Sequence, residues 1–344
     1  MSGGVDSSVA AALLKEQGYE VFGVTALMTQ ERSRCCSEED VCMAQDVASR
    51  LGIPHHIIDV KDAFQSFVVE PFISDYLSGR TPSPCALCNR HVKFGALRRK
   101  AGELGARAVA TGHYARRVAG ETGGWRLHRG VDAGKDQSYF LAFLTQEQIA
   151  WAMFPLGEMT KRQVLACATE RRLATRGARE SQELCFVGES GHGVWLDVRS
   201  LATPGAGDIV DTRGRVLGRH AGIHHYTIGQ RKGLGIATGS PLHVVAIDAA
   251  RNRVVLGDRA EAMKSRMAVE GLSWTSGEGP RSPLRVATQI RYNHEAAASV
   301  LMIEEPGRAV VRFDVPQFAV TPGQAAVFYD GDCVLGGGWI QAAE

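Results

Sequence analysis

A glycine pair set beside serines, leading straight into an alanine- and leucine-rich stretch, constrains the start of this chain more than any other feature. From Ser2 it reads "SGGVDSSVAAALLKEQGYEVFGV". Without a Cβ at Gly3 and Gly4, backbone amides can approach a bound group closely. Successive N–H groups at the head of a helix favour negative charge, so a phosphate settles there. The spacing predicts a helix over residues 7–17, closed by Gly18, and a short strand over 21–28. The Walker lysine is missing. A cradle of that kind suits a pyrophosphate that departs when the α-phosphate is attacked. The competing reading is a structural turn, since Gly-Gly before a helix is common. Asp6 has two readings, as a helix cap or as a Mg²⁺ ligand.

The helix–strand alternation continues. Residues 39–51 have helical spacing and stop at Gly52 and Pro54, and "HHIIDV" follows as a strand. Helices are expected near 63–77 and 89–104, and "ARAVAT" reads as a strand ending at Gly112-His113. Strands separated by such helices imply parallel βαβ units. The expected fold class is therefore α/β, a doubly wound parallel sheet over residues 1–188, with ligands beyond the carboxyl ends of its strands. After Gly188 short β-type runs such as "GDIVD", "HVVAID", "AVVRFD" and "AAVFYDG" take over. They predict a small β-rich domain over 189–260 and a β-barrel over 261–344.

A length of 344 residues exceeds one ordinary core, in keeping with that division. The formal net charge of +2 means that nucleic acid would be met by local basic strings, not by a global field. There is no run of 18 apolar residues and no signal-type segment, so the expectation is a cytoplasmic protein without a membrane partner. Eight cysteines are many for a reducing compartment and too unevenly placed for a disulfide scaffold, which points to metal or redox chemistry. Cys167 and Cys333 read as buried small hydrophobes. Cys35, Cys36 and Cys42 read either as a second thiol group or as packing at a helix start. Cys88 precedes Asn89, Arg90, His91 and Lys93, so a helix capped at Asn89 would place this thiol at a positive helix end among cations.

"SGGVDSS", a helix and a strand resemble the PP-loop ATP pyrophosphatases. The strings "CCSEED", "GRTPSPCALCNRHVKFGAL", "ATGHYAR", "GKDQSYFL", "SQELCFVGE", "HHYTIGQRKGLGI" and "TPGQAAVFYDGD" follow in order and span nearly the whole chain. Together they resemble the tRNA-specific 2-thiouridylase family. That resemblance implies ATP-dependent adenylation of the C2 oxygen of a wobble uridine in tRNA, then sulfur transfer, with AMP and pyrophosphate released. It implies ATP and Mg²⁺, with Ser2, Gly3, Gly4, Val5, Asp6, Ser7, Met28 and Gly112 around the nucleotide. It implies tRNA contacts at Ser83, Pro84, Cys85, His113, Lys135, Asp136, Gln137, Arg291, Tyr292 and Gln324. "RYNHE" departs slightly from the family's usual wording around Arg291 and Tyr292. The loop "GQRKGLG" is cationic and suits a phosphate backbone.

For sulfur, the resemblance makes Cys88 the nucleophile and Cys185 the persulfide carrier, loaded by a sulfur-relay protein or a cysteine desulfurase. Cys85 opens an alternative, because many family members carry Asp there. Cys85, Cys88 and Cys185 together offer three ligands for a [4Fe–4S] cluster with one open iron. Zinc fits less well, for want of a fourth ligand at usual spacing. Two other functions stay open: a different PP-loop ligase, and a catalytically silent tRNA-binding protein. PP-loop folds carry a buried strand ahead of the loop, and here only Met1 precedes Ser2. The expectation is a natural chain that begins upstream of Met1, which an intact mass would test.

Overall fold

The computed structural model describes residues 1–29, 38–121, 123–173, 184–188, 191–199, 203–237 and 240–344, with the side chains of Glu38 and Glu39 left aside. Helix α1 (Val5–Glu16) begins two residues ahead of the expected start, because Gly4, extended at φ −79°, already occupies the N-cap. Ala10, Ala11 and Ala12 are buried, and their small size lets neighbouring helices approach closely, while Val9 and Leu14 fill the core beside them.

Strand β1 (Gly23–Leu27) pairs in parallel with β2 (His55–Asp59), and helix α2 (Glu38–Leu51) makes the crossover. Helix α3 runs Lys61–Phe64, loosens into a π-helical stretch over Gln65–Val69 and resumes at Glu70–Leu77. Helix α4 repeats that design: Pro84–Leu87, a π-helical Cys88–Leu97, then Arg98–Glu103. π-Helical stretches inside α-helices cluster at functional sites. A second parallel pair joins β3 (Val109–Ala110) to a strand at Ala152–Met153 that follows helix α5 (Gln146–Trp151). The described part of the expected α/β unit thus shows two separately hydrogen-bonded parallel pairs.

Between those pairs the hairpin β4 (Ala115–Ala119) and β5 (Trp125–Arg129) leaves the α/β layer altogether. It pairs through Leu127 and His128 with the last strand of the chain, so the first and last parts share one sheet. The strand at Ala152–Met153 is β6, and helix α6 (Lys161–Glu170) follows it. After helix α7 (Gly191–Arg199) comes a four-stranded sheet of β7 (Gly207–Asp211), β8 (Val216–His220), β9 (His243–Asp248) and β10 (Arg253–Gly257). Its order is β8-β7-β10-β9 around Ile209, Val244, Val254 and Leu256.

The remaining strands are β11 (Met263–Trp274), β12 (Leu284–Gln289), β13 (Ala297–Glu305), β14 (Arg308–Phe318), β15 (Ala325–Asp330) and β16 (Cys333–Ala343). They run in the order β11-β14-β13-β12-β15-β16, and β16 pairs back onto β11, closing a barrel. Closure removes the unpaired edges that an open sheet would present. The barrel fills with Val269, Leu301, Val311, Phe328 and Ile340. Among the described residues no helix is long and apolar enough to cross a membrane.

Candidate active site

The glycine loop is held from several sides. Gly3 sits at φ +70°, a left-handed conformation that side chains resist. Ser7 Oγ and Ser8 Oγ donate to the Gly4 carbonyl at 3.1 and 2.9 Å, and the Ser2 amide donates to Ser7 Oγ at 3.3 Å. Gly112 closes the cradle from β3. A Cβ there would lie 2.9 Å from both the carbonyl carbon and the Cβ of Asp6, and 3.0 Å from the Ser7 nitrogen. The contact can form only because residue 112 is glycine. Met28 stands just past the carboxyl end of β1, where the fold class places ligands. The residues therefore fit a nucleotide phosphate, with exposed Ser2 and half-buried Ser7 at the mouth.

Asp6 does not cap the helix: Gly4 holds that place and no side chain caps it. The Asp6 carboxylate instead accepts Lys161 Nζ at 2.8 and 3.0 Å and Tyr114 Oη at 2.9 Å. Lys161 opens α6 behind Thr160, whose side chain and Gln163 form a reciprocal capping box. A basic group from far along the chain thus reaches the head of α1. The signal was the string "TKRQV", a capping pattern that puts a lysine at the head of a helix.

Cys88 is placed differently from the sequence expectation. Asn89 is not a helix cap. Proline suits the first turn of a helix, and Pro84 starts α4 there with Ser83 at the N-cap position. Cys85 falls in that first turn and is exposed, whereas Cys88 opens the π-helical stretch and is 7% exposed. Asn89 is used in packing, donating to the Phe140 carbonyl at 3.0 Å. Cys88 shares an apolar cluster with Phe64, Val68 and Val92, and Met28 and Phe186 pack against the same cluster. Phe186 follows Cys185 directly, and its ring meets Phe64, Phe72 and Trp195 edge-on at 5.5, 5.0 and 5.4 Å. Leu184 and Val187 are anchored beside it, which leaves the half-buried Cys185 on a turn pinned from both sides. Cys35 and Cys36 lie outside the described residues, Cys42 is exposed, Cys167 is buried and Cys333 is half-buried.

The expected RNA residues fall into one connected region. Gln324 Nε2 donates to the carbonyls of Thr81 and Pro82 at 3.1 and 2.8 Å, so the barrel grips the loop that leads into Ser83, Pro84 and Cys85. Tyr292 packs on Phe140 with ring centroids 4.5 Å apart. Half-buried Arg291 donates to the Phe318 carbonyl at 3.0 Å. Asp136 is buried and accepts from Arg129, the Gly130 and Ser138 amides and Ser138 Oγ at 2.8–3.1 Å. Arg129 also reaches Gln289 at 3.3 Å, and Gln289 donates to the Tyr292 carbonyl at 2.8 Å. Gln137 accepts from the Tyr114 amide at 3.1 Å. Asp136 and Gln137 are thus spent on joining the barrel to the nucleotide side, and half-buried Lys135 is the cation of that string. His113 lies between Phe94 and Phe154 and hydrogen-bonds Thr111 Oγ1 at 2.8 Å. Burial and the nearby Lys93 hold its pKa well below the usual histidine value of 6.5, so it is neutral.

Among the described residues, the donor atoms of Cys85, Cys88 and Cys185 do not gather within the 4.8 Å that a single-ion site requires.

Parallel strands with a glycine-cradled loop at their carboxyl ends, followed by a small β domain and a closed barrel, define a PP-loop nucleotide-binding protein of the HUP class. Residues 1–189 match the tRNA methyl transferase HUP domain family, 198–258 the tRNA methyl transferase PRC-barrel domain and 264–340 the aminomethyltransferase beta-barrel domain. Curated proteins described as tRNA-specific 2-thiouridylase MnmA align along almost the whole chain. The protein of Nostoc sp. (strain PCC 7120) is 49% identical, covering 99% of this chain and 97% of its own. That of Synechococcus sp. (strain JA-3-3Ab) is 49% identical over 99% and 92%, and that of Geobacter metallireducens 46% over 100% and 96%. The chain belongs to the tRNA-specific 2-thiouridylase MnmA family.

Proposed function

We propose that this protein is a tRNA 2-thiouridylase that adenylates the C2 oxygen of a wobble uridine and replaces it with sulfur. The carrying observation is one apolar cluster that unites Cys88, Met28 just past the carboxyl end of β1, and Phe186 beside Cys185. A pyrimidine delivered there meets an activating pocket and two thiols together. A carbonyl oxygen leaves poorly, and attack by that oxygen on the α-phosphate of ATP turns it into a good leaving group while pyrophosphate departs. Gly3, Gly4 and the Ser7 amide would hold the phosphates, Gly112 and Met28 the rest of the nucleotide, and Asp6 with Lys161 the charge at the loop. Mg²⁺, when bound, would neutralise phosphate charge.

In the sulfur step Cys185 enters as a persulfide. Its terminal sulfur bonds to C2 and the C2–O bond to AMP breaks. Cys88 thiolate then attacks the Cys185 sulfur, breaking the S–S bond and leaving sulfur on the base. The Cys88–Cys185 disulfide so formed is reduced by an external thiol before the next turnover. The sulfur itself comes from a relay protein or a cysteine desulfurase. The units 1–188, 189–260 and 261–344 would carry chemistry, linkage and tRNA contact in turn, with Lys135, Arg291 and Tyr292 on the RNA side.

A second reading of the sulfur step rests on exposed Cys85, one turn before Cys88 on α4. With Cys88 and Cys185 it would ligate a [4Fe–4S] cluster, which would supply an open iron to carry sulfur. The test of the overall function is the tRNA of a deletion strain. Thiolated wobble uridine should vanish and return on complementation, and normal thiolation would refute the assignment.

A further inference from the structure

Helix α7 follows the Cys185 turn and carries Asp197, which meets two adjacent histidines of the central β domain. Those histidines sit in a short 3₁₀ turn, Ile223–His225, just after β8. One Asp197 carboxylate oxygen lies 2.7 Å from His224 Nε2, and the other lies 3.2 Å from His225 Nε2. The donor atoms of all three residues lie within 4.8 Å of one another, and among the described residues no other three His, Cys, Asp or Glu side chains do so.

We propose that Asp197, His224 and His225 bind a first-row divalent transition-metal ion, Zn²⁺ foremost, which pins α7 to the central β domain. Two imidazoles aim the same nitrogen at one carboxylate, with ring centroids 4.4 Å apart. His224 is 1% exposed, so its side of the set is shielded from water and a ligand held there is desolvated. A divalent cation uses both Nε2 lone pairs and one carboxylate oxygen together. Bonds of about 2.0 Å in a tetrahedron place donors about 3.3 Å apart, so the two Asp197–imidazole contacts need to open by less than about 1 Å.

Nitrogen with carboxylate donors selects zinc, nickel or cobalt over magnesium or calcium. The side chains of Asp197 and His225 are 44% and 29% exposed, so an ion and a completing water have access. His192 on the same helix stacks on Tyr76 at 4.4 Å and has a buried Nε2 with no partner, a further imidazole nitrogen beside the set. Trp195, between His192 and Asp197 on α7, is one of the three rings that meet Phe186 next to Cys185. The ion would therefore fix the base on which the Cys185 turn rests.

The test uses the full chain, stripped with a chelator and titrated with Co²⁺ while the absorption spectrum is followed. Cobalt on imidazole and carboxylate gives weak visible bands, whereas cobalt on the cysteines adds intense near-ultraviolet thiolate charge transfer. The expected result is one Co²⁺ per chain without thiolate bands, displaced by Zn²⁺, and bound at least roughly tenfold more weakly in His225→Gln and Asp197→Asn. Circular dichroism establishes that each variant is folded, and His225→Gln, at a half-exposed position, is the milder of the two. Absence of binding, thiolate bands alone, or unchanged affinity in a folded His225→Gln chain would overturn the proposal.

Discussion

Lys161 Nζ lies 2.8 and 3.0 Å from the two carboxylate oxygens of Asp6, across 155 residues of sequence. The pair puts a cation at the head of α1, on a loop with no lysine of its own. Removing Lys161 leaves Asp6 facing an incoming polyphosphate with its charge uncompensated. Lys161→Ala is expected to slow tRNA-dependent pyrophosphate release about 100-fold, a loss typical of one preorganised electrostatic contact. Some stability should be lost as well, because the Lys161 side chain is only 16% exposed, while Thr160 still caps α6. The check is a pyrophosphate-release assay beside a thermal melt.

Gly112 gives a steric test of the same cradle. A methyl at residue 112 would fall 2.9–3.0 Å from backbone atoms of Asp6 and Ser7, which cannot rotate away. Gly112→Ala should weaken ATP binding by about tenfold or more while leaving tRNA affinity near wild type. Calorimetry with a non-hydrolysable ATP analogue and a tRNA-binding assay separate the two.

Lys135 and Asp136 are neighbours with different expected roles. Asp136→Ala leaves Arg129 half-buried without its carboxylate and should lower unfolding free energy by about 3–5 kcal/mol. Lys135→Ala should weaken tRNA uniformly and reduce the slope of log affinity against log salt by about 1. Denaturant melts and binding over a salt series provide the readouts.

His113 imposes a pH dependence. Its folded pKa lies well below 6.5 because burial, aided by Lys93, disfavours the imidazolium. As pH falls below about 6.5 the unfolded chain takes up a proton that the folded chain refuses, so stability declines until the folded pKa is reached. His113→Gln should flatten that acid limb while leaving stability above pH 7 little changed. Thermal melts over a pH series test this.

How much of this was legible in sequence depends on the range of the interaction. The glycine loop, α2 and the β-rich second half rest on local spacing, and the structure places them near the expected positions. The start of α4 was also locally encoded, but Asn89 drew the cap away from Pro84, whose fixed φ was the stronger signal. The Lys161–Asp6 pair and the grip of Gln324 on Thr81 and Pro82 depend on contacts across 155 and more than 240 residues, which no periodicity encodes. The same holds for hairpin β4–β5, whose alternation shows a strand pair but not that its partner is the last strand. The Asp197–His224–His225 set was hidden because its histidines lie in an ordinary-looking "HHYT" string, and Asp197 is on a helix of the preceding segment.

The central claim is that the thiols of Cys88 and Cys185 act on one base beside the nucleotide pocket. It is tested most directly by a single turnover with ATP, tRNA and protein preloaded with persulfide, in the absence of reductant, followed by peptide mapping. The expected result is 2-thiouridine and a Cys88–Cys185 disulfide in equal amounts, with Cys85→Ser fully competent. Thiolation with both thiols still reduced, and lost in Cys85→Ser, would contradict the persulfide account and favour the iron–sulfur route.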